Sequence, residues 1–268
     1  MLTPTLLARI TAATSDLMRE NRDYLVKLDQ VNGDGDLGIS MDDGFRALRD
    51  YLGADGGETA TDDLGQLLRG GAKVLNASAP SSLGTILSFG LMGMAKALRG
   101  VPAASVEQSV AALEAGIATI MTKAESAPGE KTILDALVPG VQALRAGVDA
   151  GAGHGAGSDG AGGDAAGADP ADVGGAGMAE VNVVELARRA ADAAAAGSES
   201  TRQMEAVHGR AAYSASRSIG VLDGGSVVGA LIFEGIARGV ADAADADDAP
   251  DAPDVASAPD AADSLDAD

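Results

Sequence analysis

The stretch LDQVNGDGDLGIS, residues 28–40, joins two segments whose apolar residues recur at helical spacing. The first of these segments begins near the N-terminus, where Thr3 can cap a helix and Pro4 suits the first helical position. The apolar positions of this first helix are Leu6, Leu7, Ile10, Leu17, Tyr24, Leu25 and Leu28. A second helix is predicted over residues 39–52, so the stretch is a helix–loop–helix junction.

Further helices are predicted along the rest of the chain. Their ranges are 59–76, 82–99, 104–125, 132–147, 180–196, 199–218 and 225–240. Gly53, Gly100 and Gly197 stand where C-terminal stops belong, and Thr132 with Asp135 forms a potential capping box. No segment alternates like a strand, and short connections favour antiparallel neighbours. The fold class predicted is all-α: an up-and-down antiparallel barrel or bundle of about eight helices within one domain, residues 1–240.

Two acidic segments interrupt this helical pattern. Residues 149–177 consist almost entirely of Gly, Ala and Asp, and we expect a disordered insert. Residues 241–268 have the same character, with three prolines, and we expect a disordered acidic tail. Together the stretches 149–172 and 242–268 hold 15 Asp and no Lys or Arg, so they supply most of the net charge of −21.

Composition excludes several classes of protein. The chain has no cysteine, which excludes disulfides and thiolate metal sites and makes a cytoplasmic location the expectation. Clustered Lys and Arg are lacking, so nucleic acid and anionic membranes are poor partners. No apolar run approaches the length of a membrane span, and the N-terminus lacks the pattern of a signal peptide.

The junction itself carries the candidate chemistry. Asp29, Asp34 and Asp36 place three carboxylates within eight residues, and clustered carboxylates repel one another unless a cation lies among them. Magnesium accepts such ligands together with water and phosphate oxygens. The next helix begins near Gly38, so its N–H groups can face phosphate. The local string leaves open a solvated Asp-Gly turn or a calcium site, although its spacing is not that of an EF-hand.

Four blocks in order resemble the DhaL family, the ADP- or ATP-binding subunit of dihydroxyacetone kinases. The first is LDQVNGDGDLGISMDDGF, from residue 28. The others are NASAPSSLGTILSFGLMGMAKAL at 76–98, PGEKTILDALVPGVQAL at 128–144 and TRQMEAVHGRAAYSASRSIGVLDGGS at 201–226. The blocks span most of the part of the chain that we expect to be ordered. The family fold that the resemblance implies is an α-helical barrel with nucleotide at one end.

The resemblance also implies roles for individual residues. Asp29, Asp34 and Asp36 match aspartates that bind two Mg²⁺ ions bridging the phosphates of ADP or ATP. Arg210 matches a catalytic arginine that reaches those phosphates. The remaining nucleotide-binding positions that match are Leu37, Gly38, Ile39, Ser40, Ser78, Ala79, Ile133, Asp223, Gly224 and Gly225. Leu37 stands where relatives usually carry His, and Gly224 where they carry Pro. The Gly/Ala/Asp insert is not a family feature.

In the related kinases a histidine of another subunit or domain holds the sugar. This chain has only His154, in the expected insert, and His208. We therefore expect it to act with a separate, DhaK-like sugar-binding subunit and to form a homodimer. ATP as substrate, or bound ADP rephosphorylated by a phosphotransferase-system protein, both remain open. So do a nucleotide-binding regulatory or adaptor protein without turnover, and a calcium-binding helical protein.

Overall fold

The architecture is that of a computed structural model, which describes residues 1–31, 33–53, 61–153 and 182–247. These residues form ten α-helices and no β-strand beyond an isolated bridge between Leu2 and Ala104. The helices are α1 (Pro4–Glu20), α2 (Arg22–Asp29), α3 (Leu37–Gly53), α4 (Leu64–Ser78), α5 (Ser82–Ala97), α6 (Val106–Ala124), α7 (Leu134–Gly153), α8 (Val183–Ser200), α9 (Ala215–Ser218) and α10 (Gly224–Asp247).

Eight of these helices close into a ring. Each packs on the next in the order α1, α3, α4, α5, α6, α7, α8, α10, and α10 returns to α1. Neighbours run antiparallel: Arg188 near the start of α8 pairs with Glu234 of α10, while Ser198 near its end bonds Ser226. The predicted all-α antiparallel barrel of about eight helices is therefore confirmed. The short helices α2 and α9 are not part of the ring. Helix α2 lies in the connection from α1 to α3, and α9 lies in the connection from α8 to α10.

Side-chain caps explain where many helices begin. The Thr3 hydroxyl accepts from the Leu6 N–H at 3.2 Å, as its position before Pro4 predicts. Ser105 and Gln108 form a reciprocal capping box at α6. Of the box predicted at Thr132 one half is present, since Asp135 accepts from the Thr132 N–H at 2.7 Å, while the Thr132 hydroxyl accepts from the Leu134 N–H at 3.2 Å. Because these contacts join residues two or three positions apart, the starts of these helices could be recognised in the sequence.

Several boundaries differ from the predictions. The helix predicted over 59–76 is α4, which begins at Leu64. The first helix is interrupted at Asn21, which separates α1 from α2. Gly197 does not end a helix: it lies inside α8, where a Cβ would overlap the Asp135 carbonyl of α7. Its small size serves helix packing, and α8 continues to Ser200. The predicted helix over 199–218 is wrong, because only two 3₁₀ turns (Thr201–Gln203 and Arg210–Ser214) and α9 form there.

Both acidic segments begin later than predicted. Helix α7 continues through residues 149–153, and α10 continues through residues 241–247. The remainder of the expected insert and tail, residues 154–177 and 248–268, lies outside the described residues.

The barrel interior is apolar and contains a cavity of about 230 Å³. It is lined by all eight helices of the ring, and α3, α5, α7 and α10 contribute mainly residues of their second halves, such as Leu48, Met94, Leu144 and Ile236. The first halves of these four helices point toward the other end, where the carboxylates of residues 29–36 lie. Over the described ranges, no helix is both long enough and apolar enough to cross a bilayer.

Candidate functional site

Asp29, Asp34 and Asp36 converge on the loop between α2 and α3. Each offers one carboxylate oxygen, and these three atoms lie within 4.8 Å of one another. The loop turns tightly around Asp29, whose carboxylate accepts from the Gly35 N–H at 2.7 Å. Gly35 has a φ of +79°, and a Cβ on Gly33 would overlap the Asp29 side chain. Both glycines are therefore needed for the carboxylates to meet.

The environment of the cluster shifts the pKa values of Asp36 and Asp34 in opposite directions. Partial burial, followed by the charges of Asp34 and Asp29, raises the pKa of Asp36 above its usual range. The pKa of Asp34 is lowered, mainly because Arg210 hydrogen-bonds to it. An oxygen-rich cluster of this kind suits a hard divalent cation such as Mg²⁺, which would relieve the mutual repulsion.

Arg210 forms an ion pair with Asp34. It lies on the 3₁₀ turn Arg210–Ser214, within the connection between α8 and α10, and its side chain is well exposed. The predicted phosphate-binding arginine and the predicted metal ligands are thus brought together. The exposed position leaves the guanidinium able to move toward an anion beside the cluster.

The first turns of four helices surround this cluster. A Cβ on Gly224, at the start of α10, would overlap Leu37 at the start of α3. Gly225 lies against the Ile133 backbone just before α7. Ser40 of α3 donates a 2.7 Å hydrogen bond to Ser81, which caps α5. The positive ends of four helices therefore lie at the same end of the barrel as the carboxylates, an arrangement that favours anions there.

Not every predicted nucleotide-binding residue presents a side chain to that region. Ala79 and Ile133 are buried in the barrel core, and Gly38 lies against the Arg22 carbonyl. Ile39 is 43% exposed. Ser78 is the last residue of α4, next to Ala79, whose Cβ approaches Gly44 of α3. All of these residues lie at one end of the barrel, but Ala79, Ile133 and Gly38 contribute to the packing there and do not present a side chain to the surface.

Asp223 caps α10 beside the cluster. Its carboxylate accepts from the Ser226 N–H at 2.6 Å, and its own N–H donates to the Thr201 hydroxyl at 3.0 Å. Burial raises the pKa of Asp223 to about 6, against the opposing effects of the Ser226 hydrogen bond and the Lys131 charge. Asp223 thus titrates closer to neutrality than an exposed aspartate.

Sequence reasoning missed the residues that hold this part of the site together. Lys131 is only 5% exposed and donates hydrogen bonds to backbone carbonyls of the 201–221 segment. His208 Nε2 lies 2.6 Å from Glu130 Oε2, and this contact joins the same segment to the turn before α7. The PGEKT block contains both Glu130 and Lys131, but a lysine before a helix gives no sign in sequence that it is buried.

Comparison with known proteins identifies relatives across most of the chain. The model of the DAK2 domain matches residues 31–156 and 171–238. The ADP-binding subunit DhaL of the PEP-dependent dihydroxyacetone kinase 2 of Listeria innocua is 28% identical over 210 residues, 78% of this chain and 82% of the relative. Human triokinase/FMN cyclase is 27% identical over 80% of this chain, which covers 31% of that protein.

A solved structure has the same fold. The dihydroxyacetone kinase from C. freundii, in complex with AMP-PNP and Mg²⁺, aligns with a TM-score of 0.59 at 20% identity. The alignment covers 87% of this chain and 33% of that one. This likeness supports the helical barrel as the shared architecture.

Proposed function

This chain belongs to the DAK2 domain family, the family of the DhaL subunits, and on that premise we propose that it is the Mg²⁺- and nucleotide-binding subunit of a ketose kinase. The acceptor is dihydroxyacetone or a related ketose, held by a separate subunit. The observation that carries the proposal is the meeting of Asp29, Asp34 and Asp36 beneath Arg210.

The donor set fits magnesium. All three side chains are carboxylates, their oxygens are close, and two of the three residues are exposed enough to admit phosphate oxygens as further ligands. We propose that Asp29, Asp34 and Asp36 hold two Mg²⁺ ions. Bound there, the metal supplies positive charge against the phosphates of ADP or ATP.

The residues of the chain then position the nucleotide. Backbone N–H groups of Leu37, Gly38 and Ile39 lie in the first turn of α3, where a helix has no internal acceptors for them. We propose that they donate to phosphate oxygens, and that Arg210 binds the transferring phosphoryl group through its planar fork. Phosphoryl transfer requires positioning and charge stabilisation more than a covalent step by the protein, and this end of the barrel supplies both.

The nucleotide's outer parts would lie over the neighbouring helix starts. Ser78 and Ala79 at the α4–α5 turn, and Ile133 before α7, are proposed to border it. Asp223, Gly224 and Gly225 are proposed to close the opposite side, since Gly224 contacts Leu37 directly.

The histidines are consistent with a separate acceptor site. His208 is paired with Glu130 rather than presented alone, and His154 lies outside the described residues. We propose a DhaK-like partner that holds the ketose. A homodimer, a phosphotransferase-system phosphoryl donor, a cytoplasmic location and a role in glycerol metabolism remain part of the same proposal.

Reconstituted turnover tests this function. The chain is mixed with a dihydroxyacetone-binding subunit, Mg²⁺ and either ATP or ADP with a phosphotransferase-system donor, and sugar phosphate is measured. We expect product only when both subunits are present, and a loss of roughly 10²-fold or more in D34N. Tight ADP binding without product in either arm would instead indicate a regulatory or adaptor protein.

A further inference from the structure

Lys131 places one ammonium group among four backbone carbonyls. Its Nζ lies 2.5 Å from the oxygen of Thr201, 2.7 Å from that of Val221 and 2.8 Å from that of Ser218. The Met204 oxygen is more distant, at 3.3 Å. A lysine has three N–H donors, so the three short contacts account for all of them and the fourth carbonyl adds only its dipole.

The acceptors explain how a nearly buried charge is tolerated. Thr201 follows α8 directly and Ser218 ends α9, so two carbonyls belong to the negative ends of helices. The pKa of Lys131 is lowered by burial, while the nearby Asp223 carboxylate acts in the opposite direction. Replacing the ammonium by an apolar group would remove the one donor that all these carbonyls share, although the Thr201 and Ser218 oxygens would still accept from the N–H groups of Met204 and Val221.

The backbone of Lys131 is itself unusual. Its φ is +60°, a left-handed conformation that is unfavourable for a residue with a Cβ. This conformation follows the Asp135-bonded turn at Gly129, whose N–H donates to the Asp135 carboxylate at 2.5 Å. The unfavourable backbone conformation therefore occurs at the residue whose side chain the turn directs into the protein.

The carbonyls that Lys131 binds lie at both ends of one excursion of the chain. The excursion leaves the barrel at Thr201 and returns at Val221, and Arg210 lies near its middle. Two further hydrogen bonds join its ends. The Gly220 N–H donates to the Arg202 carbonyl oxygen at 2.7 Å, and the Ala206 N–H donates to Ser218 Oγ at 2.9 Å. Asp223 follows two residues after the last lysine-bound carbonyl.

We propose that Lys131 is a positioning residue for phosphate binding, because its ammonium fixes the 201–221 excursion so that Arg210 stands over Asp34 and Asp223 lies beside Ile133. This inference rests on the proposed function. Lys131 does not touch the metal cluster or the nucleotide; it acts through the excursion. The neutral isostere keeps the barrel but lets Arg210 leave its place.

The absence of cysteine in the whole chain permits a clean test. K131C is alkylated in denaturant, before refolding, with 2-bromoethylamine in one sample and 1-iodopropane in another. The first product restores an ammonium at lysine length, and the second is its neutral isostere. Wild-type protein taken through both treatments controls for reaction at other side chains, and circular dichroism checks the helical content of every sample.

Two measurements are made on each sample. Calorimetry gives the affinity for Mg-ADP and for Mg²⁺ alone, and hydrogen exchange follows the amides of Ala206, Gly220 and Asp223. We expect the aminoethyl form to bind Mg-ADP within about threefold of wild type, and the propyl form to bind at least tenfold more weakly, a loss of about 1.4 kcal/mol. The three amides should exchange at least tenfold faster in the propyl form only, while the affinity for Mg²⁺ alone is retained.

Equal Mg-ADP affinity in the two alkylated forms would overturn the proposal, and so would a propyl form that loses Mg²⁺ binding together with helical content. If wild-type protein itself fails to bind Mg-ADP, the proposed function fails. The exchange measurement then decides separately: unchanged protection of the three amides in the propyl form overturns the positioning role of Lys131.

Discussion

Arg210 forms an ion pair with Asp34, although the two residues lie in different halves of the chain. The pair lowers the pKa of Asp34 and raises that of Arg210. A divalent cation at Asp34 would compete with Arg210 for the same carboxylate. The arginine would then be available to phosphates bound to that cation.

This competition predicts opposite effects of R210A on two ligands. Without nucleotide, Mg²⁺ should bind R210A at least as tightly as wild type, because the competing guanidinium is gone. Mg-ADP should bind roughly tenfold to a hundredfold more weakly, since a hydrogen bond to a charged group contributes about 1.5 to 3 kcal/mol. Isothermal calorimetry measures both affinities.

R189A is the matched control for that experiment. Arg189 pairs with Glu185 on the exposed face of α8, so its loss removes the same charge away from the cluster. It should leave both affinities unchanged. If R210A weakens Mg²⁺ and Mg-ADP equally, Arg210 does not distinguish metal from phosphate and its proposed role is wrong.

Asp223 predicts a pH dependence of stability. Its folded-state pKa is raised from 3.8 to about 6, so the folded protein retains a proton that the unfolded chain has already released. The contribution of Asp223 to wild-type stability therefore falls as pH rises from about 4 to about 6. The D223N variant, which can still cap α10, should lack this loss.

The free energy of unfolding of D223N minus that of wild type should thus increase across this pH range. The increase should be on the order of 2 to 3 kcal/mol, since one pKa unit corresponds to about 1.4 kcal/mol. Urea denaturation at pH 4, 5, 6 and 7 measures it. A difference that stays constant with pH would show that Asp223 is not held in a burial-shifted state.

Gly38 predicts a steric requirement at the start of α3. A Cβ there would overlap the Arg22 carbonyl, which is backbone and cannot rotate away. G38A should destabilise the protein by about 1 to 3 kcal/mol. At Gly53, the last residue of the same helix, no atom of the described residues lies within 4 Å of an added Cβ, so G53A should be neutral or slightly stabilising in the same denaturation assay.

The helices were predictable because their signals are local. Apolar spacing located the long helices, although α7 and α10 extend beyond their predicted ends, and capping side chains at Thr3 and Thr132 marked where α1 and α7 begin. The Asp-Gly junction was predictable for the same reason, since Asp29, Asp34 and Asp36 share one loop.

The 201–221 excursion could not be predicted in this way. Its Ala- and Ser-rich sequence is compatible with a helix, but its carbonyls at Thr201 and Ser218 bind the buried ammonium of Lys131, and Gly209 and Gly220 adopt positive φ. Gly197 failed as a stop signal for a similar reason, because its small size serves the contact with α7. Both are tertiary effects with no local signature.

The most direct test of the account is calorimetric binding of ADP with and without Mg²⁺ to wild type, D34N and D43N. Asp43 lies on the same helix that follows the cluster and pairs with Arg46 on the exposed surface, so it controls for loss of a nearby carboxylate. We predict Mg²⁺-dependent ADP binding by wild type and D43N, with affinity weakened by roughly 10²-fold in D34N. Unchanged Mg-ADP affinity in D34N would contradict the central claim that this cluster holds the metal against the nucleotide.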